Sequence, residues 1–361
     1  MRRVSAVLLI VAVLAVSIFI LAGVDNFAYR YDKDKSLPQN IHQSIDQLAK
    51  ERLGSIKSLE TIAKKLSFLS GNIRKNGIYV TETYLMRDIQ NTDPQITSDN
   101  IDYLIEQLER FEQPTYLMLI PTVSAIKQQE LPSSITDLFN QRNFIAEIYN
   151  RCINSAATVD AYSNLFAAKE QYTYYRNSSN LTALGGYYLY QALSARLGIT
   201  PRPPDQFEVE HLPAKYYGDL AREAEYYDLP PDIITLYKYT GTRRNYMLTH
   251  YNGDEMRRYY NLFPKHLEEI GRPTDVVLGG ESQRLDITAS APYQESCLII
   301  GDKTALSYLP FLAVHYGNIT FLDIYSLDET LVNLDYDLYD QVIIGLSVEA
   351  LLEAPISSPA K

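Results

Sequence analysis

The chain has 361 residues, a formal net charge of −11 and 46% hydrophobic residues, the make-up of a folded acidic protein. That charge excludes the basic footprint of a nucleic-acid binder, so no nucleic-acid partner is expected. Tyrosine is over-used, with 30 tyrosines and no tryptophan. Most tyrosines are expected on strands and at the core margin, with glycan or partner contact as the sharper alternative.

Arg2 and Arg3 precede an uncharged apolar run from Val4 to Val24. At about 1.5 Å per helical residue the run can cross a bilayer core. The positive-inside rule then puts the two arginines in the cytoplasm and everything after Asp25 outside. Residues 1–24 are read as an N-terminal transmembrane helix, giving a single-pass protein of the cell membrane facing outside. A cleaved signal peptide is the competing reading. Residues 25–70 read as an extracytoplasmic linker and an amphipathic helix. In it Ile41, Ile45, Leu48, Ile56, Leu59, Ile62, Leu66 and Leu69 recur mostly at three- and four-residue spacing.

One domain is expected over residues 71–354, with a tail at 355–361. Asn76–Met86 alternates like a strand pair, and a helix is expected around Ile101–Arg110. Thr115–Thr122 (TYLMLIPT) is a continuous apolar run suited to a parallel strand covered on both faces. Helices are expected near 133–141 and 143–156. A strand end at Tyr172, Tyr174 and Tyr175 then leads through a polar turn into a helix. That helix has Thr182 as N-cap, Leu189, Leu193 and Leu197 at helical spacing, and Gly198 at C′. The proline-rich stretch 198–217 reads as a surface loop or lid, and residues 240–270 give little signal. The last third predicts strands at Thr274–Gly280, Ser296–Asp302, Asn318–Tyr325 and Asp340–Leu346, with a helix over Ala305–Val314. Alternation of this kind predicts a parallel sheet with right-handed crossovers. Cys152 and Cys297 are expected to be buried free thiols.

Several of these segments also match a known pattern. Tyr175, Arg176, Thr182, Gly186, Tyr187 and Tyr188 keep the frame of a Tyr-Arg-Thr-Asp-His-His-Trp-Thr motif that runs into a Gly-Tyr-Tyr helix. Ile120-Pro121-Thr122, then Pro231, Asp232, Ile234 and Tyr237, then Leu309–Tyr316 follow in the same order. In these residues, over about 72–350, the chain resembles the DHHW family of bacterial surface proteins. Those are relatives of the SGNH-hydrolase-like alginate O-acetylation proteins. The resemblance implies an α/β, three-layer, SGNH-hydrolase-like (flavodoxin-like) parallel sheet. It also implies, for working relatives, transfer or removal of acetyl groups through an acyl-serine.

The chemistry of the motif is replaced. Where the family carries Asp-His-His-Trp, this chain has Ser178, Ser179, Asn180 and Leu181. The resemblance places orienter, base and nucleophile at Ser178, Asn180 and Lys303, the last in the turn Gly301-Asp302-Lys303-Thr304. Neither a hydroxyl nor a carboxamide is a general base near neutrality, and a lysine of ordinary pKa, about 10.4, is an ammonium there. No catalytic residue is therefore expected, and the sequence reads as a pseudoenzyme. A rearranged site is the alternative, with Thr304 as nucleophile, His211 folding over it and Asp302 orienting His211. His315 stands about 16 Å from Thr304 along a helix and cannot pair with it.

Ligand contact is expected at Tyr175, Arg176, Gly279, Gly280 and Lys303, with no metal and no cofactor. Lys303 pairs with Asp302 or Glu281 in one reading and binds a phosphate or uronate in another. Glu281, beside the Gly279-Gly280 turn, would oppose an oxyanion. The function expected is binding or supporting O-acetylation of a cell-surface polysaccharide, with that polymer or an active acetylation protein as partner. An active O-acetyltransferase or acetylesterase, and a structural surface assembly protein, are the alternatives.

Overall fold

A computed structural model describes residues 74–356, apart from residues 88, 90–92, 133–134, 136–137, 243–244, 268–271, 291–294 and 328–333. The anchor expected at 1–24, the linker and helix at 25–70, and most of the tail lie outside the described residues. Among the described residues no helix is long and apolar enough to cross a membrane. Contacts divide the chain into two units at Ile73 and Arg74, and the architecture below is that of the second.

It begins with a small antiparallel sheet of β1 (Arg74–Lys75), β2 (Ile78–Val80) and β3 (Leu85–Arg87), the strand pair that the alternation predicts. Helix α1 (Pro94–Glu109) starts well before Ile101, because Asp93 accepts the Gln95 amide and Pro94 suits the first turn. β4 (Thr115–Ile120) is the predicted buried strand, followed by α2 (Val123–Ile126) and α3 (Gln141–Arg151). The Asn140 side chain caps α3 by accepting from the Asn143 amide, so residues 138–140 do not continue the helix expected near 133–141. β5 (Ala157–Val159) and α4 (Ala161–Ala167) lead to α5 (Ala183–Leu197). α5 is capped as predicted, with the Thr182 side chain accepting from Gly185 and Gly198 left-handed at φ 72°.

The strand expected at Tyr172–Tyr175 shrinks to one bridge, Tyr174 to Leu181. Its neighbours hydrogen-bond a side chain instead: the Asp232 carboxylate takes the amides of Arg176 (2.7 Å) and Asn177 (2.9 Å). The proline-rich stretch is not a loop or lid throughout. It forms β6 (Phe207–Tyr216), paired antiparallel with β7 (Asp232–Tyr239) across the short helix α6 (Asp219–Glu223). The register slips between His211 and Lys215, and Pro213 sits in that irregularity, where its missing N–H breaks no ladder.

β8 (Tyr246–Asn252) and β9 (Glu255–Tyr259) form a hairpin that turns at Gly253. No strand forms at Thr274–Gly280. Pro273–Val276 is a 3-10 turn, and Leu278, Gly279 and Gly280 take φ of 56°, 85° and 90°, a run that no strand can follow. β10 (Arg284–Ala289) and β11 (Ser296–Gly301) come next. The helix expected over Ala305–Val314 is instead a 3-10 turn, Lys303–Ser307, and a short α7 (Leu309–Leu312). β12 (Asn318–Asp323), β13 (Gln341–Ser347) and α8 (Val348–Glu353) close the chain.

The large sheet has the order β5-β4-β13-β11-β12-β10-β8-β9. β5, β4, β13, β11 and β12 are mutually parallel, whereas β10, β8 and β9 each pair antiparallel with their neighbours, so the sheet is mixed rather than parallel throughout. α1, α3 and α8 bury Leu104, Leu108, Ile148 and Leu351 against Leu117, Ile300 and Ile344 on one face. On the other face Met118 and Gly345 meet Tyr308. Cys152 and Cys297 are free and buried, as expected. Because β4, β13, β11 and β12 are parallel neighbours, their carboxyl ends bring Thr122, Ser347, Asp302 and Asp323 to one edge. Open α/β sheets place their ligand sites at such an edge.

Candidate functional site

The site is built where three distant segments converge on Asp219. The Ser178 hydroxyl donates to its Oδ1 at 2.6 Å, and the Ser179 amide donates to the same oxygen at 3.0 Å. The Ser179 hydroxyl donates to Oδ2, and the Lys303 ammonium lies 3.1 Å from that oxygen. Two glycines permit this approach. A Cβ on Gly218 would fall 2.3 Å from the Ser178 Cβ, and one on Gly186 would fall 1.9 Å from the Ser307 carbonyl oxygen. The first lets α6 present Asp219 to the serines; the second seats α5 against the Lys303 turn.

Electrostatics follow from that packing. Burial alone would raise the Asp219 carboxyl, but Lys303 and the two serines outweigh it and hold it far below the usual carboxylate range. Burial would likewise lower the Lys303 amine, and Asp219 reverses this, so its pKa is raised. Lys303 is an ammonium and no proton acceptor. Its partner is Asp219, not the Asp302 or Glu281 expected from sequence. Glu281 faces Arg272 at 3.8 Å.

Asp302 does not orient a histidine. It is 4% exposed. Its Oδ1 accepts the Thr304 amide at 2.9 Å, and its Oδ2 accepts the Ser347 amide at 3.1 Å and the Ser347 hydroxyl. It therefore ties the end of β11 to the cap of α8. His211 is exposed on β6, with Nδ1 2.9 Å from the Thr235 hydroxyl, and lines neither of the cavities beside Lys303. The arrangement does not bring together the trio His211, Thr304 and Asp302. His315 pairs with the Tyr190 hydroxyl at 2.7 Å, and His250 with the Leu278 carbonyl at 2.7 Å.

Two cavities meet at the turn. The larger, about 410 Å³, is bordered by Asp219, Asp302, Lys303, Asp323 and the surroundings of Arg87. The smaller is walled by Tyr175, Tyr237, Phe263 and Phe311. Asn180, Glu281, Lys303 and Thr304 line both. Of the ligand-contact residues expected, Tyr175, Gly280 and Lys303 line a cavity and Arg176 and Gly279 do not. The Arg176 guanidinium stacks over the Tyr172 ring at 4.9 Å. Ser178 is fully buried and lines neither cavity. Gly280 spends its amide on the Val277 carbonyl at 3.0 Å, so that N–H is not offered to an oxyanion.

Carboxyls dominate the larger cavity. Burial pushes Asp323 up to about 6, helped by Asp302 and Glu281 against one hydrogen bond from the Tyr325 amide. Arg87 reaches Glu223 and Glu349 at 2.8 Å each and Glu353 at 3.1 Å. Burial and the adjoining Glu353 nonetheless push Glu349 up to about 8, against the pull of Arg87. Sequence reasoning missed Asp219, Asp323, Arg87 and Glu349. Only the Gly-Asp pair at 218–219 offered a local hint for any of them. Among the described residues no group of three or more His, Cys, Asp or Glu is placed to hold a metal.

A family model described as DHHW protein matches residues 32–322. No curated protein matches the chain. Among solved structures, a DHHW family protein from Eubacterium siraeum is 17% identical, with a TM-score of 0.64 over 79% of this chain and 95% of that one. PatB1 of Bacillus cereus is 13% identical, with a TM-score of 0.59 over 78% of this chain and 98% of that one. The O-acetyltransferase domain of Pseudomonas putida AlgJ is 12% identical, with a TM-score of 0.48 over 79% and 94%. At these identities the likeness to the first two is one of fold.

Proposed function

The chain belongs to the DHHW family, and from that premise we propose that it is a non-catalytic binding member, serving O-acetylation of a cell-surface polysaccharide. One observation carries this reading: the position matching the family's nucleophile holds an ammonium paired with Asp219 at 3.1 Å. A group so paired neither attacks an ester nor takes a proton. Ser178, at the orienter position, spends its hydroxyl on the same carboxylate. The retained frame of Tyr175, Arg176, Thr182 and Gly186 supports the link to acetylation, and the paired cavities support binding. The apolar run after Arg2 and Arg3 supports a membrane-anchored chain facing outside.

A second reading, residual ester chemistry, rests on Asp323. A carboxyl shifted to about 6 in the same cavity as Thr304 has the acidity of a general base. Measuring surface-polysaccharide binding and acetyl-ester turnover on one preparation of the chain separates the readings. Binding without turnover is expected; turnover lost in Thr304→Val and Asp323→Asn would favour the second.

A further inference from the structure

We propose that β9 is a docking edge for a second copy of this chain, the two β9 strands pairing antiparallel about a two-fold axis at Met256.

β9 closes one side of the large sheet, and among the described residues no strand pairs with its outer edge. Glu255, Met256, Arg257 and Arg258 are all exposed. Such an edge offers unpaired N–H and C=O groups to an extended chain, so natural edges are kept short or are interrupted by proline. The opposite edge, β5, has three residues and none of them is exposed. β9 has neither protection: it runs five residues without a proline.

The hairpin fixes which backbone groups point outward. Asn252 and Glu255 are register partners across the two-residue turn Gly253-Asp254, followed by Tyr251 with Met256, His250 with Arg257 and Thr249 with Arg258. The pair that closes a two-residue turn is hydrogen-bonded, and bonded and non-bonded pairs then alternate. Glu255, Arg257 and Tyr259 therefore spend their backbone groups on β8. Met256 and Arg258 turn theirs to the open side.

Charge selects the register. A second β9 must set outward groups against outward groups, which puts the two-fold axis at a residue of the strand. An axis at Glu255, Arg257 or Arg258 sets a charged side chain against its own copy, and like charges directly opposite are destabilising. An axis at Tyr259 leaves Glu255 to Arg257 beyond the end of the facing strand. With the axis at Met256, Glu255 stands opposite the partner's Arg257, and Asp254 in the turn comes level with the partner's Arg258. The symmetry repeats each pairing, so every facing charge meets its opposite.

The single chain leaves these groups available. Arg258 reaches only the Met256 sulfur, at 3.8 Å, among the described residues. Arg257 lies 3.0 Å from Glu255, and both are more than two-thirds exposed. Across the axis the two such pairs would alternate in sign around one cluster. A strand of another protein would find the edge but not this reciprocity. The contact is one strand deep, so a weak dimer is expected, with a dissociation constant of roughly 10–100 µM.

The test is sedimentation equilibrium of the full chain in density-matched non-ionic detergent, beside Glu255→Arg, Arg257→Glu and Met256→Pro. The unsubstituted chain is expected to pass from monomer to dimer over that range. Each charge variant sets like charges across the axis and should weaken the dimer at least roughly tenfold. Mixed in equal amounts, the two charge variants should associate with each other about as tightly as the unsubstituted chain, since one supplies the arginines and the other the glutamates. Met256→Pro removes an outward N–H, which an edge strand tolerates, and should abolish the dimer with little change in melting temperature. A chain that stays monomeric at millimolar concentration overturns the proposal. So does a dimer that both charge variants retain, which would put the contact elsewhere in the chain. Loss in each charge variant without recovery on mixing overturns the register. If Met256→Pro fails to fold, the mixing experiment still decides.

Discussion

The Lys303 ammonium lies 3.1 Å from the Asp219 carboxylate, across 84 residues of sequence. This pair defines the site. Asp219 collects Ser178, Ser179 and Lys303 into one hydrogen-bonded network. Its Lys303 end is partly open to solvent, which moderates what the pair contributes.

Removing the carboxylate should therefore cost more than removing the cation. Asp219→Ala strands two serine hydroxyls and a lysine and is expected to destabilise the chain by about 2–3 kcal/mol. Lys303→Met leaves Asp219 its serine donors and should cost about 1 kcal/mol. Urea denaturation of both single variants and the double variant checks this, with the double expected to lose less than the sum.

The acid side of the stability curve has a definite sign. Asp219 is depressed in the folded chain, so its contribution is full above the ordinary Asp value of about 3.9 and falls away as pH drops below it. Asp219→Asn should therefore flatten the fall in melting temperature on acidification below about pH 4, relative to the unsubstituted chain.

Glu349 predicts the opposite limb. Its folded value of about 8 exceeds the ordinary value, so the native state holds a proton that the unfolded state has released. Stability should fall as pH rises from about 4.5 through 8. Glu349→Gln mimics the protonated carboxyl and should make melting temperature less dependent on pH across that window, which differential scanning calorimetry would show. An unchanged slope would count against the burial of this carboxyl.

Gly186 tests the packing that seats the turn. A methyl group there would meet the Ser307 carbonyl oxygen at 1.9 Å, a backbone atom that cannot swing aside. Gly186→Ala is expected to cost about 1–3 kcal/mol in spite of alanine's better helix propensity. Equilibrium denaturation would reveal it, and a neutral or stabilising result would show that α5 and the turn can part cheaply.

Putting the motif's residue types at the three positions that the resemblance matches should fail. Ser178→Asp places a carboxylate where a hydroxyl now donates to Asp219 at 2.6 Å, while Lys303→Ser removes the counter-charge. Like charges this close are strongly unfavourable. The triple variant with Asn180→His should melt well below the parent, and adding Asp219→Asn should recover much of the loss in the same thermal melt.

What was legible in the sequence was local. Thr182 and Gly198 mark the ends of α5 because caps are set by neighbouring residues, and the apolar runs of β4, β11, β12 and β13 announce strands covered on both faces. The antiparallel half of the sheet was not legible. β9 is an edge strand whose residues Glu255–Arg258 are exposed, so it has no alternation to read. Pro213 masked β6, since proline argues against a strand unless a bulge absorbs it. Asp219 was invisible for a different reason: its partners lie 41 and 84 residues away, and nothing adjacent to it records them.

The central claim is that the Lys303–Asp219 pair has replaced chemistry with binding. Acetyl-ester turnover by the purified chain, measured against a heat-denatured control, tests it most directly. The account predicts no turnover above that control. Turnover above the control, abolished by Thr304→Val, would contradict it.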